Sequence, residues 1–151
     1  MKEVRSEIEI HSSPLTAWKI LTDFPSFDKW NPVIVKITGE ARLGERLEIS
    51  LRTNNGKIRT YRPVITKFEE NHELRWKGSS SIPGILNGER IFAFYRTGED
   101  RIRLLHLELF SGLGAIIAGS RLIKDVKLNL QQMNIAFKKK VEQETKERFE
   151  D

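Results

Sequence analysis

The chain has 151 residues, no cysteine and a formal net charge of +5. That length suits one domain, residues 1–151, with a core large enough to stand without covalent staples, and the missing cysteines exclude disulfide frameworks and thiolate metal sites. Lysines and arginines alternate with acids, as in KFEENHELRWK, so the positive charge forms no basic footprint for nucleic acid.

The chain opens on KEVRSEIEI, which alternates loosely as a first strand would and is too charged for a secretory apolar segment. SSPLTAWKIL then starts a helix: Ser13 is the N-cap, Pro14 takes the first helical position, and Leu15, Trp18 and Leu21 share a face. FPSFDKWNP, closed by Pro32, suits one or two further helical turns. From Val33 to Gly112 the pattern is strand after strand. VIVKITG, ERLEISLR, IRTYRPVITKFEE, HELRWKGS, NGERIFAFYR and DRIRLLHLELF are separated by turn signals at LGE, NNGK, ENHE, PGILNG and TGED.

GLGAIIAG, Gly112 to Gly119, superficially mimics a dinucleotide fingerprint, but Ile117 stands where the third glycine belongs and no further strand follows. It reads as a flexible apolar loop whose Ile116 and Ile117 can touch a ligand or a membrane. LFSGLGAIIAGS, the longest uncharged stretch, is too short to span a bilayer, so no stable membrane insertion is expected. Beyond it Leu122, Val126, Leu130, Met133, Phe137 and Val141 recur at spacings of three and four, the single apolar stripe of a long amphipathic helix. The helix ends in KKKVEQETKERFED, whose five cations and five anions describe a solvated end. Short helices, a strand meander and a closing long helix make an antiparallel α+β domain.

LLHLELFSG poses the one chemical question. Strand alternation puts Ile102, Leu104, His106, Glu108 and Phe110 on one face, and Arg90, Phe92 and Phe94 on one face of the strand before. With a five-residue connection from Thr97 to Arg101, Phe94 lies opposite Leu104, Phe92 opposite His106 and Arg90 opposite Glu108. A two-residue turn would shift the register by one and separate the two sets. A cross-strand arginine would neutralise an inward glutamate, since either charge alone costs several kcal/mol inside. The opposite face, Leu105, Leu107 and Leu109, is apolar too, so which face lines the interior stays open, and the leucines offer a surface that a second copy could cover. Trp18, Trp30 and Trp76 read as core or cavity wall. His11 and His72 are ordinary surface positions, and three histidines without ligand spacing argue against a metal site.

Taken in order, I-E-I-x-S-S-P-x-x-A-W-x-I-L-T-D-F (Ile8 to Phe24), F-D-K-W-N-P (Phe27 to Pro32), Y-R-P-V (Tyr61 to Val64), E-L-R-W-K-G (Glu73 to Gly78), N-G-E-R-I-F (Asn87 to Phe92) and H-L-E-L-F-S-G-L (His106 to Leu113) resemble the START-related helix-grip superfamily (SRPBCC), in particular its polyketide cyclase/dehydrase-like branch. The resemblance implies a curved antiparallel sheet of about seven strands wrapped around the C-terminal helix, with two short helices after the first strand. It also implies an apolar cavity between sheet and helix. Where many relatives read G-x-H-x-F with an inward histidine, this chain has Arg90, so no role resting on that histidine carries over.

On this reading the chain binds a hydrophobic, lipid-like small molecule. The aromatic residues Trp18, Trp30, Trp76, Phe92, Phe94, Phe110 and Phe137 would line the cavity with Leu104, Ile116, Leu130 and Met133. Arg62, Arg90, His106 and Glu108 would orient the ligand's polar end. One alternative is a cyclase or dehydratase using His106 or Glu108 for proton transfer. Another is a regulator of a protein partner, with a core filled by its own side chains. No cofactor is expected, the location is expected to be cytoplasmic, and a homodimer is compatible with the leucine-rich outer face.

Overall fold

The structure, a computed structural model, describes residues 2–79, 87–117 and 119–150. Among the described residues eight strands and three α-helices follow in the order β1 (Lys2–Ile10), α1 (Pro14–Thr22), a 3-10 helix (Phe24–Lys29), β2 (Ile34–Thr38), β3 (Glu48–Arg52), β4 (Ile58–Tyr61), β5 (Val64–Glu69), β6 (Glu73–Ser79), β7 (Asn87–Gly98), β8 (Arg101–Ser111), α2 (Leu113–Ile117) and α3 (Ser120–Glu150). All strand pairings are antiparallel. One sheet runs β1-β8-β7-β6-β5 and a second runs β2-β3-β4. The segment before β3 stitches them together: Leu47 N–H donates to the Pro63 carbonyl at 2.8 Å and Ile65 N–H to the Glu45 carbonyl at 2.9 Å.

Local chemistry sets most boundaries. Ser13 caps α1, its hydroxyl accepting from Thr16 N–H at 3.2 Å, and Pro14 opens the helix where a missing N–H costs nothing. Ala17, Trp18 and Leu21 are buried, whereas Leu15, expected on the same face, is 45% exposed. The stretch expected as one strand from Ile58 onward is two. Pro63 has no N–H to continue the β4 ladder, and the chain crosses there from the smaller sheet to the larger.

The β7–β8 hairpin reaches the expected register by another route. Arg90 pairs with Glu108, Phe92 with His106 and Phe94 with Leu104. The connection is not a five-residue loop, however: Gly98 pairs with Arg101 across a two-residue turn, and Asp100 takes the left-handed conformation (φ 50°). A bulge at Thr97 supplies the missing residue and restores the phase.

α3 packs chiefly along β1 and is pinned there, with Lys138 Nζ donating to the Glu9 carbonyl at 2.7 Å and Glu142 accepting from His11 N–H at 2.9 Å. Its stripe is buried unevenly. Leu130, Met133, Phe137 and Val141 are fully packed, but Leu122 and Val126 stay half-buried. The packed half meets an aromatic core. Trp18 stands edge-on to Phe68 and Phe94, Trp30 lies against Phe27 and Phe137, and Trp76 against Phe24 and Phe92. These rings fill the closed end of the grip. Among the described residues no helix is long and apolar enough to cross a membrane.

On the outer face Leu107 and Ile91 are buried within this chain. They are flanked in register by Arg5 and Arg75, whose long stems can lie over neighbouring apolar surface. The glycine-rich segment expected as a loop contains the short helix α2, in which Ala115 is buried beside Val4, Phe110 and Leu130. Residues 80–86, which include most of the expected PGILNG turn, lie outside the described residues.

Candidate functional site

The concave face of the larger sheet is organised in cross-strand rows. Leu74, Phe92 and His106 form one, Trp76, Arg90 and Glu108 the next, and Gly78, Gly88 and Phe110 the one beyond. The aromatic core therefore gives way to a charged row, and the charged row to a pair of facing glycines. Both glycines make room. A Cβ on Gly88 would fall 2.6 Å from Glu108 Oε1, and one on Gly78 would crowd Pro63 and the Tyr61 ring at 3.3 and 3.4 Å.

A cavity of about 270 Å³ opens over this glycine pair. Its floor is Arg90, Glu108 and Tyr61; its apolar walls are Leu51 from β3, Phe110 from β8, and Leu122 and Val126 from α3, with Asn129 and Ser79 adding polar atoms. This is why the first turns of the α3 stripe are only half-buried. A larger hollow of about 610 Å³ lies outside the grip, against Pro32, Arg52, Gln132 and Lys139, beside Ile135, which is 64% exposed. It holds none of the buried polar groups and is the poorer candidate, because a small-molecule site needs apolar walls around a few convergent polar atoms.

Arg90 is committed on several sides. Its Nε donates to Glu108 Oε2, and its Nη1 lies 3.3 Å from His106 Nε2 and 3.6 Å from Met133 Sδ. Burial alone would lower the Arg90 pKa, but the Glu108 carboxylate and Tyr61 together more than offset this, and the guanidinium stays charged. Since a guanidinium only donates, His106 Nε2 must accept, so Nδ1 carries the proton and donates to Asn134 Oδ1 at 2.8 Å. The ring stacks on Phe92 at 4.3 Å and is 0% exposed. Burial, then the Arg90 charge, push the His106 pKa well below its usual value, against the Asn134 bond, so the imidazole is neutral at pH 7. Tyr61 is half-buried. Burial of its hydroxyl pushes the phenol up to about 12, although the positive charge of Arg90 pulls the other way. The indole N–H of Trp76 is oriented to lower it a little but has no hydrogen bond of regular geometry.

Of the residues singled out from sequence, Arg90, Glu108 and Phe110 line the cavity. His106 and Met133 support its floor from behind, and Leu130 backs its wall beside Phe110 and Val4. Trp18, Trp30, Trp76, Phe92, Phe94, Leu104 and Phe137 belong to the packed core, where their rings and side chains occupy the space that a deeper cavity would need. Arg62 does not join the site: it projects outward and pairs with Glu48 at 3.3 Å, because it lies where the chain passes between sheets. The side chain of Ile116 lies outside the described part. Tyr61, Leu51, Asn129 and the glycine pair were not singled out. Tyr61 stands in the Y-R-P-V motif, but its reach across to β7 depends on the crossing at Pro63, which no local periodicity signals. Among the described residues no group of three His, Asp or Glu side chains could hold a metal ion.

The family model described as polyketide cyclase / dehydrase and lipid transport matches residues 1–142. Solved structures give the same fold at low identity. A START superfamily protein from Mycobacterium smegmatis is 20% identical, with a TM-score of 0.77 over 93% of this chain and 97% of that one. A protein from Thermus thermophilus is 15% identical, with a TM-score of 0.73 over 93% and 97%. The di-domain ARO/CYC StfQ from the steffimycin biosynthetic pathway is 12% identical, with a TM-score of 0.69 over 99% of this chain and 52% of that one. No curated protein matches this chain.

Proposed function

The chain belongs to the polyketide cyclase/dehydrase and lipid transport family, and on that premise we propose that it binds a small apolar molecule in the cavity between the sheet and the first turns of α3. The observation that carries this reading is the convergence of Leu51, Phe110, Leu122 and Val126 on a floor of three polar side chains, Tyr61, Arg90 and Glu108. Apolar walls supply affinity and the few polar groups supply orientation. A core filled throughout would have favoured a regulator without ligand; here the filling stops at the charged row.

A cyclase reading, prompted by the ARO/CYC named among the similar structures, needs a proton carrier facing the cavity. His106 is a poor one, being fully buried with both ring nitrogens in hydrogen bonds. Glu108 shares its charge with Arg90, which leaves binding as the better-supported activity.

The test is a titration with N-phenyl-1-naphthylamine, a neutral dye that brightens in apolar surroundings, followed by near-UV circular dichroism. Saturable brightening with the tertiary signal intact is expected. A Val126→Trp variant, which plugs the cavity, should lose it. Dye uptake only as the tertiary signal disappears, or uptake indifferent to Val126→Trp, would count against the reading.

A further inference from the structure

Two features of the cavity bear on what it can hold. One is the second oxygen of Glu108. Its Oε2 receives Arg90 Nε, but Oε1 makes no hydrogen bond to any described residue. The side chain lines the cavity and is 12% exposed there. A carboxylate paired with a guanidinium offers acceptor sites only, so among the described residues Oε1 has no donor. The other is Gly88. In a strand interior a glycine costs stability and packs nothing, yet any Cβ at this position would press on Oε1 at 2.6 Å. The glycine keeps that oxygen uncovered.

The charges around Oε1 limit what can approach it. Arg90 and Glu108 cancel, and Arg90 already spends Nε and Nη1 on Glu108, His106 and Met133. A ligand carboxylate would bring a second acceptor to an acceptor. A ligand ammonium would meet Arg90 at short range. A neutral donor meets neither penalty, and a hydrogen bond to a charged acceptor is about twice as strong as one between neutral groups. The walls add that the rest of the molecule is apolar, and a cavity of about 270 Å³ limits it to a small ring system.

Building on the binding reading above, we infer that the cavity selects small, neutral, hydroxyl-bearing ring compounds, with the ligand hydroxyl donating to Glu108 Oε1 in the space that Gly88 leaves open. Tyr61 stands beside this point with its phenol protonated, able to donate to the ligand oxygen in turn. Glu108 is thus the residue that determines specificity, and Gly88 acts through it.

Displacement of N-phenyl-1-naphthylamine by naphthalene, 2-naphthol and 2-naphthoate separates these demands. In the wild type 2-naphthol should compete roughly 10-fold or more better than naphthalene, the scale of one hydrogen bond to a charged group, with 2-naphthoate the weakest. In Gly88→Ala the methyl group displaces or covers Oε1, so the preference for naphthol should collapse while naphthalene still competes. Glu108→Gln, which keeps the shape but removes the charge, should reduce the preference in the same direction. Equal competition by naphthalene and 2-naphthol, or strongest competition by 2-naphthoate, would overturn the inference and leave the cavity standing. A preference for naphthol unchanged in Gly88→Ala and Glu108→Gln would overturn it as well. Failure of the dye itself to bind would instead remove the binding reading and this inference with it.

Discussion

Arg90 and Glu108 face each other across β7 and β8, and the guanidinium Nε donates to the carboxylate inside the grip, where neither side chain is more than 12% exposed. Two charges taken from water at this depth hold each other in place, and either alone would be stranded. Arg90→Met should therefore cost about 3–5 kcal/mol. Adding Glu108→Leu should restore much of that loss, because an apolar pair of similar volume needs no compensation. Urea unfolding of the two single variants and the double variant checks this. Additive costs would mean that the side chains are not coupled.

His106 makes stability depend on mild acid. Its folded pKa is depressed by burial and then by Arg90, against the Asn134 bond, and the charged group that faces it is Arg90, itself paired with Glu108. Above about pH 6.5 both folded and unfolded states hold a neutral imidazole, and the term vanishes. Below that the unfolded chain takes up a proton that the native chain refuses. Stability should then fall by about 1.4 kcal/mol per pH unit until native His106 protonates. The difference between wild type and His106→Gln in urea midpoints, followed from pH 7.5 to 5.5, isolates this term. A constant difference would mean that His106 protonates as readily folded as unfolded.

The bulge at Thr97 lies between the turn and the functional row, with Gly98 paired to Arg101 on one side of it and Arg96 to Ile102 on the other. Deleting Thr97 joins these two pairs into a regular ladder with the same two-residue turn, so Arg90 should stay opposite Glu108, and thermal unfolding should stay cooperative with Tm lowered only slightly. Deleting Tyr95 instead shifts Arg90, Phe92 and Phe94 by one against β8, and since a one-residue slip turns every side chain to the other face, that variant should lose cooperative unfolding. Loss of cooperativity in the Thr97 deletion as well would mean that the bulge itself, and not the register, holds the hairpin.

Much of this was legible in the sequence because periodicity is local. The α3 stripe, the Ser13–Pro14 start and the opposition of Arg90 to Glu108 follow from spacings within single elements or one hairpin. The sequence supported that opposition through the wrong connection, since a two-residue turn with a bulge gives the same phase as the longer loop. The extent of the cavity was not legible. Trp30, Phe94 and Phe137 point inward from a 3-10 helix end, a strand and α3 just as cavity-lining residues do, and only their mutual packing marks them as filling. Tyr61 was out of reach for a different reason: its position beside Arg90 depends on a crossing between sheets.

The most direct measurement asks where an apolar ligand sits. With wild-type protein carrying labelled leucine, valine and isoleucine methyl groups, nuclear Overhauser contacts from bound N-phenyl-1-naphthylamine should reach the methyls of Leu51, Leu122 and Val126, which wall the cavity above Arg90 and Glu108. Contacts to Val33 and Ile135 instead would put the ligand in the larger outer groove and contradict the account.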